Sequence, residues 1–265
     1  MANILISGVS GGMGLQTAKR FVSEGHFVYG LDIKEPSETL SNFKFIKTDL
    51  TNIDEVNKTY EIISKEINHI DIIVSLAGIY NLDSLVEISE EDFIKIFNIN
   101  VFSVYRINKT FLPLLDNKSR IIIISSELAP LDPLPFTGLY GITKSTLEKY
   151  AYSLRMELQV LGIKVIVVRP GAVETTLLDD SMKSINRFTN ETKIYKTSAS
   201  KFKKITESVE NKSIPPTRIA NLVYKISFKK HTKYTYNINR NFLLKLLNCL
   251  PQKMQNRIIY RIIKQ

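Results

Sequence analysis

The sequence predicts an α/β fold with a doubly wound, mostly parallel sheet of about seven strands and helices on both faces. Short apolar runs alternate with longer amphipathic stretches over the first two-thirds of the chain. The short runs are almost continuously apolar, which is typical of parallel strands covered on both faces. The 265 residues are 44% hydrophobic, enough to bury one sizeable core. Together these observations favour a single sheet with right-handed crossovers.

The elements follow from this alternation. Strands are predicted at residues 3–7, 27–32, 43–48, 70–76, 120–125, 163–169 and 234–238. Helices are predicted to begin near Gly12, Asn52, Ser89, Gly138 and Pro216. The start at Ser89 is supported by three acidic residues in the following turn, because negative charge is favourable at the positive end of a helix dipole.

The predicted organisation is one domain over residues 1–239 and an amphipathic tail over residues 240–265. The strand–helix alternation stops after residue 174. Residues 179–212 are polar and are interpreted as a mobile loop or short helices, within a substrate loop region over residues 176–214. The tail is interrupted at Pro251.

The net charge of +10 is unevenly distributed. Residues 1–182 contain 17 Lys and Arg against 23 Asp and Glu, whereas residues 183–265 contain 19 against 3. This split indicates a different environment for the C-terminal third, such as an anionic surface. Nucleic acid is not the expected partner, because aromatic and basic residues do not interleave on a binding element.

The tail has an apolar face and a basic face when it is read as a helix. The apolar positions are Leu243, Leu247, Leu250, Met254, Ile258 and Ile262, and the basic ones are Lys253, Arg257, Arg261 and Lys264. Such a helix can lie in an anionic membrane surface. Packing on the domain or on a partner subunit explains the pattern as well, and the sequence leaves both readings open.

A cytoplasmic location is expected, with peripheral membrane association through the tail as the alternative. Cys249 is the single cysteine, which suits a reducing compartment. The sequence has no signal-peptide pattern at its start and no run of the ~20 apolar residues that a membrane span needs. A homo-oligomer, dimer or tetramer, is the expected assembly.

A glycine-rich loop follows the first strand. Gly8, Gly12 and Gly14 precede a helix-forming stretch, so backbone N–H groups can approach a pyrophosphate at the helix N-terminus. This arrangement indicates a Rossmann-type dinucleotide site. Asp32 ends the second strand, where a carboxylate accepts hydrogen bonds from ribose hydroxyls and repels a 2′-phosphate. NAD is therefore preferred as cofactor, and NADP remains the alternative.

Tyr140 and Lys144 are one helical turn apart, so their side chains are predicted to be neighbours. An isolated tyrosine has a pKa near ~10, and a nearby cation lowers it towards the range of a general acid or base. The same spacing to a lysine recurs at Tyr105 and Tyr260. Only Tyr140 follows an apolar strand that ends in serine, at residues 120–125, and this context singles it out.

Together, these residues resemble the short-chain dehydrogenase/reductase family, in its single-domain branch with a Tyr-x-x-x-Lys active site. The resemblance covers residues 1–178 well and the remainder loosely. The family's Thr-Gly-x-x-x-Gly-x-Gly pattern is met with Ser7 in place of threonine. Its Asn-Asn-Ala-Gly segment appears with Ser75 and Leu76 in place of both asparagines, followed by Ala77 and Gly78.

The resemblance implies four catalytic residues. They are Asn100, Ser126, Tyr140 and Lys144. Tyr140 would exchange a proton with the substrate oxygen, Ser126 would bind the same oxygen, and Lys144 would hold the nicotinamide ribose. Asn100 would hold a water that links Lys144 to solvent. Ser125 is the alternative to Ser126, because the separation from Tyr140 is one residue longer than usual; a small insertion is expected within residues 128–135.

The resemblance also implies the cofactor contacts along the chain. The predicted cofactor-binding residues are Ser7, Gly8, Ser10, Gly12, Met13, Gly14, Asp32, Asp49, Leu50, Ala77, Gly78, Tyr140, Lys144, Pro170, Gly171, Val173 and Thr175. Asp49 and Leu50 correspond to the adenine pocket. The segment from Pro170 to Thr175 corresponds to the nicotinamide end. No metal ligands are expected.

The predicted function is reversible hydride transfer between a nicotinamide and a secondary alcohol or ketone, with an apolar substrate. The segments expected to recognise the substrate are residues 128–136, residues 79–85 and the stretch after Thr175. Their apolar residues are Ile79, Tyr80, Leu82, Leu128, Leu131, Leu134 and Phe136. The same residues could pack the loops on the core instead. The alternative functions are a 3-oxoacyl-thioester reductase that uses NADPH, and a non-catalytic dinucleotide sensor or scaffold.

Overall fold

A seven-stranded parallel sheet forms the centre of the molecule. The computed structural model describes the backbone of residues 1–210 and 212–264, and their side chains except those of residues 176–181, 209 and 210. The strand order is β3-β2-β1-β4-β5-β6-β7, and every neighbouring pair is parallel. The strands are β1 Asn3–Ser7, β2 Phe27–Asp32, β3 Phe43–Lys47, β4 Ile72–Ser75, β5 Arg120–Ile124, β6 Lys164–Pro170 and β7 Thr235–Ile238. The predicted α/β fold is confirmed, with strand ends that differ by up to two residues.

Helices connect the strands. They are α1 Gly12–Ser23, α2 Ile53–Ser64, α3 Glu90–Phe97, α4 Ser103–Phe111, α5 Gly138–Leu158, α6 Thr176–Glu191, α7 Lys196–Glu210, α8 Pro216–Phe228, α9 Phe242–Asn248 and α10 Gln252–Lys264. The predicted helix starts agree with α1, α2, α3, α5 and α8. Two of these starts are capped by side chains, since Asn52 accepts from the Asp54 amide and Ser89 from the Asp92 amide.

Two parts of the prediction need correction. The stretch over residues 179–212 was predicted as a mobile loop or short helices, and the loop interpretation is wrong because α6 and α7 occupy most of it. Helix α4 was not predicted at all. It continues from α3 through a π-helical turn, Asn98–Phe102, so that residues 90–111 form one helical stretch with an expanded turn in the middle.

The sheet buries one apolar cluster on each face. Successive residues of a strand point to opposite faces, so Leu5 lies in one cluster while Ile4 and Ile6 lie in the other. Helices α2, α4 and α5 cover the Leu5 face, and α1 and α8 cover the opposite face. This double covering explains why the strand sequences are continuously apolar rather than alternating.

The order of the strands creates the crevice that a ligand needs. Strand β1 pairs with β2 on one side and with β4 on the other, so the connections from these strands leave in opposite directions. In open parallel sheets, ligands bind at the carboxyl ends of the strands next to such a switch point. The glycine-rich loop after β1 lies at this position.

The tail packs on the loop that follows β5. The Asn248 side-chain oxygen accepts a hydrogen bond from the Asp132 amide at 2.7 Å, and Gln255 donates to the Asp132 carboxylate at 2.9 Å. Helix α10 also contacts α7. These contacts support the predicted alternative in which the tail packs on the domain. Among the described residues, no helix has the length and apolar character needed to cross a bilayer.

Candidate active site

Tyr140 and Lys144 are buried together on the inner face of α5. Tyr140 is 5% exposed, whereas Tyr105 and Tyr260, which have the same spacing to a lysine, are 41% and 58% exposed. The Lys144 Nζ lies 5.6 Å from the centroid of the Tyr140 ring and donates a hydrogen bond to the Ile124 carbonyl at 3.2 Å. Burial therefore separates this pair from the other two, which the spacing could not do.

The electrostatics of the pair differ from the prediction. Burial raises the pKa of the Tyr140 phenol above its ordinary value, and a hydrogen bond with the Ser126 hydroxyl lowers this pKa by less. The predicted net lowering of the Tyr140 pKa is wrong for this structure, because desolvation outweighs the contributions that favour the phenolate. Burial also lowers the pKa of Lys144 to about 8, against a smaller opposite effect of Glu148, so the ammonium is itself poorly stabilised.

Ser126 is the serine that reaches Tyr140. It lies just after β5, and its hydroxyl forms the hydrogen bond with the Tyr140 phenol that lowers the tyrosine pKa. Ser125 also lines the cavity, but its buried hydroxyl has no hydrogen-bond partner among the described residues. The arrangement therefore favours Ser126 over the Ser125 alternative.

Asn100 is fully buried on the π-helical turn between α3 and α4. Its side-chain oxygen accepts from the Ile79 amide at 2.8 Å, and its nitrogen donates to the Ile79 carbonyl at 3.0 Å and to the Thr143 hydroxyl at 3.1 Å. Asn100 does not line the cavity. It instead ties the segment after β4 to helix α5, and Thr143 is a partner that the sequence analysis missed.

The glycine-rich loop is closely packed against its surroundings. A Cβ on Gly14 would lie 2.0 Å from the Gly8 carbonyl oxygen, and a Cβ on Gly8 would lie 2.5 Å from the Ala77 nitrogen. Gly8 also has a φ of +75°, which side chains rarely allow. Gly12 faces the Thr175 side chain, from which its Cβ would be 3.0 Å distant. The loop thus requires glycine for geometric reasons.

Asp32 is positioned by the backbone of two segments. Its carboxylate accepts from the Ser10 amide at 3.0 Å and from the Lys34 amide at 3.3 Å, and it lines the cavity. The Ser10 hydroxyl donates to the Lys34 carbonyl. Ser10 and Ser7 lie outside the cavity lining, and the buried Ser7 hydroxyl has no partner among the described residues. Ser7 and Ser10 are therefore part of the loop but do not form the wall of the cavity.

Two further groups of predicted residues line the cleft, one after β3 and one at the end of β6. In the first group, the Asp49 carboxylate accepts from the Thr51 amide at 2.8 Å, and Leu50 lies beside it. The segment predicted to bind the nicotinamide lines the same cavity as Tyr140 and Lys144. Its cavity-lining members are Pro170, Gly171, Val173 and Thr175.

One cavity of about 580 Å³ connects these parts. The sequence-predicted residues in its lining are Gly8, Gly12, Met13, Gly14, Asp32, Asp49, Leu50, Ala77, Gly78, Ser126, Tyr140, Lys144, Pro170, Gly171, Val173 and Thr175. Predicted site residues from six strand ends and helix α5 therefore meet in a single space. Gly78 is part of this wall, and a Cβ there would lie 3.6 Å from the Lys144 Nζ.

The predicted substrate segments divide into two groups. Ile79, Tyr80, Leu128 and Leu134 line the cavity. Leu82 and Phe136 pack instead in an aromatic cluster with α6 and α7, and Leu131 does not line this cavity. Three apolar lining residues come from late in the chain. They are Phe202, Ile205 and Leu244. The first two lie in the stretch after Thr175 that was predicted to recognise the substrate, although neither was named individually, and Leu244 was predicted only as part of the tail.

The cleft suits a nicotinamide dinucleotide. Glycines at 8, 12 and 14 leave room for a backbone-bound pyrophosphate at the start of α1, and the Asp32 carboxylate lies where an adenosine ribose would be held. Tyr140 and Lys144 line the same cavity, with the Lys144 Nζ 5.6 Å from the centroid of the Tyr140 ring, so both side chains could contact one nicotinamide ring and its ribose. The donor set and the shape of the cleft therefore fit the cofactor.

Comparison with known proteins agrees with this geometry. A sequence model described as short chain dehydrogenase matches residues 2–186. The chain belongs to the short-chain dehydrogenase family. A 3-ketodihydrosphingosine reductase from Bacteroides thetaiotaomicron is 29% identical, covering 98% of both chains. An NADPH-dependent 3-dehydrocapnine reductase from Ornithobacterium rhinotracheale is 25% identical, covering 100% of this chain and 98% of the relative.

A solved structure shows the same relationship. A short chain dehydrogenase family protein from Francisella tularensis is 28% identical and superposes with a TM-score of 0.75, covering 90% of this chain and 97% of that chain. Membership in the short-chain dehydrogenase family makes this protein an oxidoreductase that binds NAD or NADP.

The buried Lys144 predicts a dependence of stability on pH. Its folded-state pKa of about 8 lies below the ordinary 10.5, so the unfolded chain binds more protons between these values and the free energy of unfolding should rise with pH across that window. Lys144→Met should abolish this component. It should also stabilise the ligand-free protein at pH 7 by up to about 3 kcal/mol, at 1.36 kcal/mol for each pKa unit.

Chemical denaturation of both proteins between pH 7 and pH 10.5 measures this difference. The stability curves should converge as the pH rises. Curves that stay parallel over the whole range would contradict a poorly stabilised ammonium at residue 144.

Proposed function

We propose that this protein reduces the ketone of an amphiphilic substrate with a long alkyl chain, of the 3-keto sphingoid-base type. The observation that carries the proposal is the apolar wall of the cavity beyond Tyr140, formed by Leu128, Leu134, Phe202 and Ile205. Such a wall favours an alkyl chain over a free sugar. The names of the two relatives, which describe 3-keto and 3-dehydro compounds, support the same class.

The proposed chemistry assigns one role to each polar side chain. The bound nicotinamide supplies the hydride for the carbonyl carbon. Tyr140 donates the proton to the carbonyl oxygen, and Ser126 donates a hydrogen bond to that oxygen and fixes its position. Lys144 holds the cofactor ribose and stabilises the phenolate once the proton has left. Asn100 positions these groups through Ile79 and helix α5.

The Tyr140 phenol is protonated at neutral pH, because burial raises its pKa above the ordinary value. This is the form that can donate a proton in ketone reduction. The charge of Lys144 is needed only when the phenolate forms. A 3-oxoacyl-thioester reductase would use the same groups, so the substrate assay must separate the two.

NADH is the proposed reductant. The Asp32 carboxylate is fixed by the Ser10 and Lys34 amides at the place where a 2′-phosphate would have to sit, and like charges repel. The NADPH dependence in the name of one relative is the opposing indication. The fixed carboxylate is a feature of this chain itself and favours NADH.

Tyr140→Phe should reduce the rate of ketone reduction by at least about 100-fold, because the proton donor is lost. NADH binding should be little changed, since the ring and Lys144 remain. Tyr105→Phe is the matched control, because Tyr105 has the same spacing to a lysine but is exposed. The measurements are NADH oxidation by absorbance and NADH affinity by fluorescence titration.

The same assay tests the substrate. We expect the highest kcat/KM for long-chain 3-ketodihydrosphingosine, compared with a 3-oxoacyl thioester and a short-chain ketone. A preference for the thioester would overturn the substrate proposal in favour of that reductase. Normal turnover by Tyr140→Phe would remove the assigned proton donor, and turnover of no carbonyl compound would favour a sensor.

Asp32→Ser tests the choice of dinucleotide. The ratio of kcat/KM with NADH to that with NADPH should fall at least about 10-fold, or ~1.4 kcal/mol, because the repulsion of the 2′-phosphate is removed. Glu35→Ser, a change of an exposed carboxylate in the same loop, should leave the ratio unchanged. Wild-type preference for NADPH would contradict the proposal directly.

We also propose that the tail rests on an anionic membrane surface. In α9, Phe242, Leu243 and Leu246 are 72%, 67% and 54% exposed, although the helix is tied to the domain at other positions. Exposed basic residues follow in α10, including Lys253 and Arg257. An exposed apolar face beside cations matches a surface-bound amphipathic helix and a lipid-like substrate.

Leu243→Ser combined with Leu246→Ser should weaken binding to phosphatidylglycerol vesicles, because the inserted apolar area is reduced. Binding of the wild type should also weaken with added salt. Val160→Ser is the control, since Val160 is 83% exposed but lies in the turn that follows α5. Vesicle sedimentation and size-exclusion chromatography separate the outcomes: unaltered vesicle binding, or loss of an oligomer instead, would contradict the membrane proposal.

A further inference from the structure

Glu127 is a buried carboxyl group in the wall of the active-site cavity. It follows Ser126 directly and is 6% exposed. Its amide donates to the Pro170 carbonyl at 2.8 Å, which fixes the backbone against β6. Among the side chains that the structure describes, no other carboxyl group is buried this deeply. The catalytic roles assigned above do not use it.

The surroundings of this carboxylate leave its charge unbalanced. One oxygen, Oε2, accepts a hydrogen bond from the Asn241 amide at 2.6 Å. The other, Oε1, faces Gly171, where a Cβ would lie 3.0 Å away. Among the residues that the structure describes, no Lys, Arg or His side chain forms an ion pair with Glu127 at 4.0 Å or less.

A buried carboxylate without an ion-pair partner is costly unless a cation approaches it. Burial raises the pKa of Glu127, and the Asn241 amide and the more distant charge of Arg240 lower it by less. A role limited to holding the tail explains this poorly, since a neutral side chain would accept the same amide hydrogen bond. Asp132 already anchors the tail from outside this cavity.

We propose that Glu127 recognises an ammonium group on the substrate, carried by the carbon next to the reacting carbonyl. Ser126 is placed to bind the carbonyl oxygen, and Glu127, the next residue, lines the same cavity, so a cation held by Glu127 lies in the space that receives the carbonyl. An α-amino ketone fulfils this condition. The inference rests on the proposed function and narrows it to long-chain ketones with a free amine.

The test compares 3-ketodihydrosphingosine with its N-acetyl derivative, which lacks the positive charge. The wild type should prefer the free amine. Glu127→Gln should lower kcat/KM for the free amine at least about 10-fold, ~1.4 kcal/mol, and change it little for the N-acetyl compound, so the preference disappears. Glu127→Asp should restore part of it, because the charge is retained. Asp132→Asn, a change at the other tail anchor, should preserve the preference.

The two proposals fail in different ways. If the wild type reduces neither ketone, the proposed function is wrong. If it reduces both and Glu127→Gln keeps the wild-type ratio, only the role of Glu127 is wrong. Inhibition of the wild type gives a second measurement that needs no variant: dihydrosphingosine should inhibit more strongly than its N-acetyl derivative, and equal inhibition would overturn the inference.

Discussion

The approach of two backbone segments at the end of β1 is the constraint on which the rest of the site depends. Gly8 and Gly14 bring the start of α1 within contact of the loop, and Gly8 in turn touches the backbone at Ala77 after β4. A side chain at either glycine would push these segments apart. The same contact brings the segment after β4 to Asn100 and Lys144, so the glycine-rich loop and helix α5 are positioned by the same backbone packing.

Much of this arrangement follows from local rules. Continuous apolar runs locate the strands, glycines mark the loop after β1, and an acid at the end of β2 marks the ribose position. The spacing alone does not identify the Tyr140–Lys144 pair, because only burial distinguishes Tyr140 from Tyr105 and Tyr260. Burial is a property of the folded chain, so only the preceding strand gave an indirect signal for it.

The features that escaped prediction depend on contacts between distant segments. The pKa of Tyr140 is governed by desolvation, which no pairwise spacing reports. The polar sequence of α6 and α7 resembles a loop, because few of its residues are apolar, but those few pack around Phe136. The π-helical turn at Asn100 inserts an extra residue into a continuous helical pattern and leaves no compositional trace.

The position of α9 has a consequence for how this enzyme can change over evolutionary time. Leu244 lines the cavity and the Asn241 amide holds Glu127, yet the helix that carries them is joined to the sheet only by the short segment after β7. Substitutions there can remodel that part of the cavity while the end of β5 before Ser126 and helix α5, which carries Tyr140, stay fixed. Selectivity can therefore diversify through α9 while the residues around Ser126 and Tyr140 stay unchanged.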